Sequence, residues 1–123
     1  MKVRCDRLVD ATTGEEVTSS EWLRVGADYV VLSILAEPGR QILFRIMGEG
    51  EIGAPGLFDS TMFSTVSPEI PPSWVITVGN GGIVRVGPRT WMKPGFWEDY
   101  FNQEPEAIAL FDEEYGNMLA ESG

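Results

Sequence analysis

The clearest signals along the chain have the two-residue period of strands. Residues 2–9 put Val3, Cys5 and Val9 on one side and Lys2, Arg4 and Asp6 on the other, which predicts a first, half-buried strand. Residues 29–35, YVVLSIL, are β-branched and nearly all apolar, and predict a buried strand. Glu37-Pro38-Gly39-Arg40 then reads as a turn, since Pro presets φ and Gly accepts positive values. Residues 41–47, QILFRIM, return as the partner strand. Residues 61–66 predict a further strand, and 74–78 and 83–86 flank a Gly79-Asn80-Gly81-Gly82 hairpin loop. About six short strands therefore precede residue 93.

Three connectors carry their own expectations. Residues 11–16 form a turn. Thr18-Ser19-Ser20-Glu21 either opens a short helical turn through Trp22, as a capping box, or is an extended connector with Trp22 tucked into the core. Residues 48–56 hold four glycines and Pro55, which excludes a helix or central strand. That stretch is a plain connector or a contact loop, with Glu49 and Glu51 as secondary binding candidates. Leu57 and Phe58 should plug the core behind it.

After Pro94-Gly95 the period becomes helical. Phe96, Trp97, Tyr100 and Phe101 share one side of a short helix, and Glu98, Asp99 and Asn102 the other. Pro105 occupies the favoured first position of a second helix that runs to about residue 120, roughly 24 Å. Its apolar stripe is Ile108, Phe111, Tyr115, Met118 and Leu119. Each large side chain buried there contributes about 1.5–3 kcal/mol, enough to hold down a segment that would be marginal in isolation. The opposite face carries Glu106, Leu110, Glu113, Glu114, Asn117 and Glu121, with Leu110 exposed among carboxylates.

The predicted fold class is α+β, in a single domain over 1–123 with a β-rich core at 1–93 and an acidic helical cap at 94–123. The core is a small bent antiparallel sheet or an SH3-like β-barrel of about six strands, with the C-terminal amphipathic helices packed on it. Residues 23–31, LRVGADYVV, look like the entry to the first hairpin of an SH3-like barrel.

Charge changes this picture in one place. The formal net charge is −10, and residues 94–123 carry eight acidic side chains and no Lys or Arg. The remainder is close to balanced. An acidic chain disfavours nucleic acid and anionic membranes, and favours a basic partner through steering and complementarity. The candidate partner-binding residues are Glu98, Asp99, Glu106, Leu110, Glu113, Glu114 and Asn117, an apolar anchor in a charged rim.

Little in the chain supports catalysis. The absence of His excludes imidazole acid/base chemistry, Ser-His or Cys-His nucleophiles and His-bound zinc. Cys5 alone makes neither a disulfide nor a thiolate cluster, and reads as a reduced core residue of a cytoplasmic protein. The N-terminus lacks the apolar segment of a secretory signal, and no apolar run reaches membrane-spanning length. Adjacent carboxylates such as Glu113-Glu114 diverge by about 100° on a helix and do not converge on a reacting atom. No phosphate-binding or calcium-binding loop motif is present, so no catalytic residue, metal or cofactor is expected.

The segment Trp91-Met92-Lys93-Pro94-Gly95-Phe96-Trp97-Glu98-Asp99-Tyr100-Phe101, in a small acidic His-free domain, resembles the bacterial immunity proteins of polymorphic toxin systems. That resemblance implies a protein that neutralises a cognate toxin, often a basic nuclease, by covering its active site with carboxylates. Two other classes stand beside it. One is an SH3-like peptide-binding or assembly module using the aromatics and the Gly-rich loop. The other is a small enzyme or ligand carrier, which a deep pocket with convergent polar groups would favour.

Overall fold

A computed structural model describes residues 1–10, 12–49 and 54–122, the last by its backbone. Short antiparallel strands come first and two helices last, an α+β arrangement. The strands are β1 (Lys2–Cys5), β2 (Leu8–Val9), β3 (Glu16–Val17), β4 (Asp28–Val30), β5 (Ser33–Ala36) and β6 (Leu43–Met47). They continue with β7 (Pro55–Asp59), β8 (Phe63–Ser67), β9 (Trp74–Val78) and β10 (Val84–Pro88). The helices are α1 (Phe96–Phe101) and α2 (Pro105–Ser122).

The strands form a five-stranded sheet in the order β7-β6-β5-β10-β9, a three-stranded sheet β4-β1-β8 and a small β2-β3 ribbon. The sheets are separate and do not close, which corrects the SH3-like barrel in favour of bent antiparallel sheet. The corner explains the difference. The predicted continuous strand at 29–35 breaks at Val31 and Leu32, both fully buried. There the Val31 N–H turns to the Met1 carbonyl at 2.9 Å, and the Leu32 N–H to the Arg45 carbonyl at 2.8 Å. The chain thus leaves the three-stranded sheet as β4 and enters the five-stranded sheet as β5.

A second corner lies between β7 and β8, where a 3₁₀ turn over Ser60–Met62 is capped by Asp59, whose carboxylate accepts from the Thr61 N–H at 2.9 Å. Both predicted hairpins are present. β5 pairs with β6 through Ile34 and Phe44, and β9 with β10 in register from Val78–Val84 to Trp74–Pro88. The turn between β9 and β10 uses positive φ at Gly81 and Gly82. Residues 2–9 divide into β1 and β2, and β3 pairs with β2 where the sequence predicted only a turn.

The core packs Val3, Cys5, Leu8, Leu23, Val31, Leu32, Ile46, Met62 and Trp74 with Trp91, Phe96, Phe111 and Met118 from the helical end. Leu57 faces outward instead of plugging it, while Phe58 packs against it. Trp22 lies in a non-helical connector and packs on the core, so the extended alternative holds. Its N–H and that of Leu23 are satisfied by Ser20 Oγ, at 3.0 and 3.4 Å.

Candidate functional site

The helical cap is fastened by aromatic stacking on Trp91, which is 3% exposed. Trp91 lies on a 3₁₀ turn, Arg89–Met92, that follows β10. Its ring stacks on Phe96 at 6.2 Å and on Phe111 at 5.1 Å, and meets Trp97 edge-on at 5.5 Å. Its Nε1–H donates to the Leu110 carbonyl at 3.5 Å. Tyr100 closes the stack against Phe111 at 4.7 Å. Gly95 precedes α1 with φ 78°, a value that favours glycine, and Gln103 takes φ 61° in the short link to α2. These joints fix how the carboxylates are presented.

α2 is rotated relative to its predicted orientation. The buried positions are Ala107, Phe111 and Met118, with Ile108, Leu110, Glu114 and Tyr115 half-buried at the margins. Leu119 is 46% exposed, so it leaves the expected stripe, and Phe101 likewise leaves the buried side of α1 at 52%. Ala107 explains the rotation: a small side chain lets the helix approach the turn below it. Leu110 follows inward and packs against the core, so it is not the exposed anchor that the sequence suggested.

The predicted carboxylates therefore divide. Glu106, Glu113 and Asn117 are exposed on one flank of α2. Glu114 is half-buried beside them, and burial first, then repulsion from Glu113 and Glu121, pushes its carboxyl above the usual range. Glu98 is exposed on α1 and Asp99 is half-buried there. Burial first, then the charge of Asp112 on α2, raises the Tyr100 phenol of α1. Glu98 and Asp99 thus belong to α1, and Glu106 and Glu113 to α2, seven residues apart and so on one face of that helix.

The secondary loop candidates also divide. Glu51 lies outside the described residues. Glu49 is already engaged: Arg24 Nε and Nη2 donate to its two oxygens at 3.0 Å each. The Tyr29 hydroxyl donates to Glu49 Oε2 at 3.0 Å and accepts from the Arg24 N–H at 2.8 Å. The Glu49 N–H reaches the Trp22 carbonyl at 2.7 Å. Glu49 thus ties the end of β6 to the connector before β4.

Arg24, then Tyr29, hold the Glu49 carboxyl below its ordinary pKa. A depressed carboxyl pKa contributes stability above its unfolded value and loses that contribution as pH falls through the folded value. Glu49→Gln is accordingly expected to flatten the acid limb of the stability–pH curve, below about pH 4.3, while leaving its neutral region shaped as before. Urea melts at a series of pH values measure this, and an unchanged acid limb would contradict it.

A residue without a sequence-level role stands out. Arg45 lies in β6 with its guanidinium carbon 3.8 Å from the centroid of the Trp97 ring. Its Nε is buried with no hydrogen-bond partner among the described residues. None of the ion pairs Arg4–Asp28, Arg24–Glu49 and Arg40–Glu37 involves Arg45. Burial pushes its pKa down to about 10, so it stays charged at neutral pH. That shift is worth on the order of 3 kcal/mol of disfavoured charge, and the contact with Trp97 returns about 2 kcal/mol at most. The only sequence signal for it is one Arg inside the apolar run of 42–47.

Among the described residues, no three His, Cys, Asp or Glu side chains gather to hold a metal ion, and no helix is long and apolar enough to cross a membrane. No family model matches the chain, and neither a curated protein nor a solved structure is similar to it.

Proposed function

We propose that this chain is a non-enzymatic, cytoplasmic binding protein that inhibits a basic protein partner, in the manner of an immunity protein neutralising a nuclease-type toxin. The observation that supports it is the exposed acidic flank of α2, in a segment with no Lys or Arg to neutralise it. Glu106, Glu113 and Asn117 form its centre, on a helix whose underside is locked by Trp91 and Phe111. Glu98 and Asp99 extend the negative field across α1. Such a surface accelerates association with a positive face and specifies orientation. Leu110 supports the helix from below in this reading, and the carboxylates make the contact.

Co-purification from the native host followed by binding kinetics tests it. The charge-reversed pair Glu106→Lys and Glu113→Lys is expected to slow association at least tenfold, with the melting temperature unchanged. Both side chains are exposed and unburdened by packing, so the variant separates binding from folding. Unaltered association kinetics would refute the acidic-face mechanism.

One observation favours a second reading, a peptide-binding or assembly module. β9 is an edge of the five-stranded sheet, and Ile76 and Val78 on it are 69% and 73% exposed. An open edge with apolar side chains can accept an extended peptide as an added strand. Loss of binding in Ile76→Glu with Val78→Glu, alongside indifference to the α2 reversals, would select this reading.

A further inference from the structure

An otherwise acidic protein concentrates unpaired cations in one hollow. A cavity of about 440 Å³ opens between the five-stranded sheet and the turn leading into α1. Arg45, Arg85 and Lys93 line it, together with Leu57, Phe96 and Trp97. None of the three cations has a hydrogen bond or ion pair among the described residues. One carboxylate, Glu98, also lines the cavity, and it is exposed.

The three cations come from separate elements: β6, β10 and the residue before the Pro94-Gly95 turn. Their convergence is therefore a product of the fold. Arg45 is the informative member. Arg45 is half-buried with its Nε fully so, and a guanidinium taken out of water is normally paired with a carboxylate, because desolvation without pairing is unfavourable. Here the group lies over the Trp97 ring, and its fork has no acceptor among the described residues. A planar five-donor fork fits the oxygens of a carboxylate or phosphate in bidentate fashion. The volume falls within the range of small-molecule sites, about 300–1,000 Å³.

The geometry points to this cavity as a binding site for a small organic anion, a carboxylate or phosphate carried on an aromatic or branched apolar body. Arg45 takes the oxyanion, Arg85 and Lys93 supply the surrounding positive field, and Phe96 and Trp97 cover the apolar body. Apart from Glu98, which belongs to both, the site shares no residue with the proposed acidic surface, and it stands whether or not the carboxylates of α2 bind a protein.

Titration of the full chain with benzoate, phenyl phosphate, inorganic phosphate and the uncharged analogue benzamide tests the assignment, with Trp97 beside the site as a fluorescence reporter. Benzoate or phenyl phosphate is expected to bind at least tenfold more tightly than benzamide, and phenyl phosphate more tightly than inorganic phosphate. Arg45→Met keeps an unbranched apolar stem against Trp97 while removing the fork. It should weaken the organic anion at least tenfold and melt at or above the temperature of the parent. Arg85→Gln, an exposed position, should weaken it several-fold with no change in melting.

Equal affinity for benzoate and benzamide would overturn the assignment, as would no binding of any probe at millimolar concentration. Retained affinity in both variants would do so too. A clear drop in the melting temperature of Arg45→Met would show that Arg45 serves the packing instead, and would equally overturn it.

Discussion

Replacing Trp91 by alanine is expected to lower stability by about 3–5 kcal/mol, the usual loss for a large buried aromatic. The upper part of that range follows from its position. Its ring contacts Phe96, Trp97 and Phe111, which come from both helices, and its Nε1–H holds the Leu110 carbonyl. Neighbours on three sides belong to separate helices, so a collapse that fills the cavity would have to move both. Against a typical total of about 5–15 kcal/mol, the variant would be marginal. Chemical denaturation measures the loss, and near-UV circular dichroism reports the aromatic stack. The α1–α2 link around Asn102 and Gln103 should become susceptible to proteolysis while the sheets remain folded. A loss below about 1 kcal/mol would show that the cap is held elsewhere.

Gly48→Ala is expected to cost about 1–3 kcal/mol, as an overpacked site. The added methyl would overlap Trp22 Cε3 and lie 3.1 Å from Cζ3. The ring cannot simply retreat. Its residue's carbonyl is held by the Glu49 N–H, and its edge packs on Phe58 at 6.5 Å between centroids. Displacing the indole disturbs the connection that Arg24, Tyr29 and Glu49 secure. A double-mutant cycle assigns the cause: in a Trp22→Ala background the same substitution should be nearly neutral. An equal cost in both backgrounds would place the strain in the backbone instead. The glycine at this position therefore has a packing reason, separate from the flexibility that a Gly-rich stretch suggests.

Local periodicity made much of the fold legible. The β5–β6 and β9–β10 hairpins and both helices follow from patterns spanning a few residues and from Gly and Pro at their ends. The corner at Val31 and Leu32 was not legible, because a residue buried between two sheets is as apolar as one inside a single buried strand. The rotation of α2 was hidden for a related reason. Ala107 is buried there, and a stripe drawn through the largest side chains passes over it and runs on to Leu119, which is exposed.

The candidate site was legible in its charges and not in its arrangement. That residues 94–123 are acidic is plain from composition. That Asp99 and Glu114 are half-buried, and that Leu110 packs inward, depends on how Trp91 and Phe111 set the helices. Arg45 was harder still. A charged residue in an apolar strand can point to solvent, and only the contact with Trp97, more than fifty residues later, shows that it is half-buried with its Nε unpartnered among the described residues.

We propose that exposed carboxylates on α2 engage a basic protein. The most direct test is the association rate of the co-purified partner measured across a salt series, for the parent and for the Glu106→Lys, Glu113→Lys variant. The parent should associate more slowly as salt rises toward about 0.5 M, where the Debye length falls to a few ångströms. The variant should start slower and depend less on salt. A parent rate insensitive to salt, with the variant indistinguishable from it, would contradict the account.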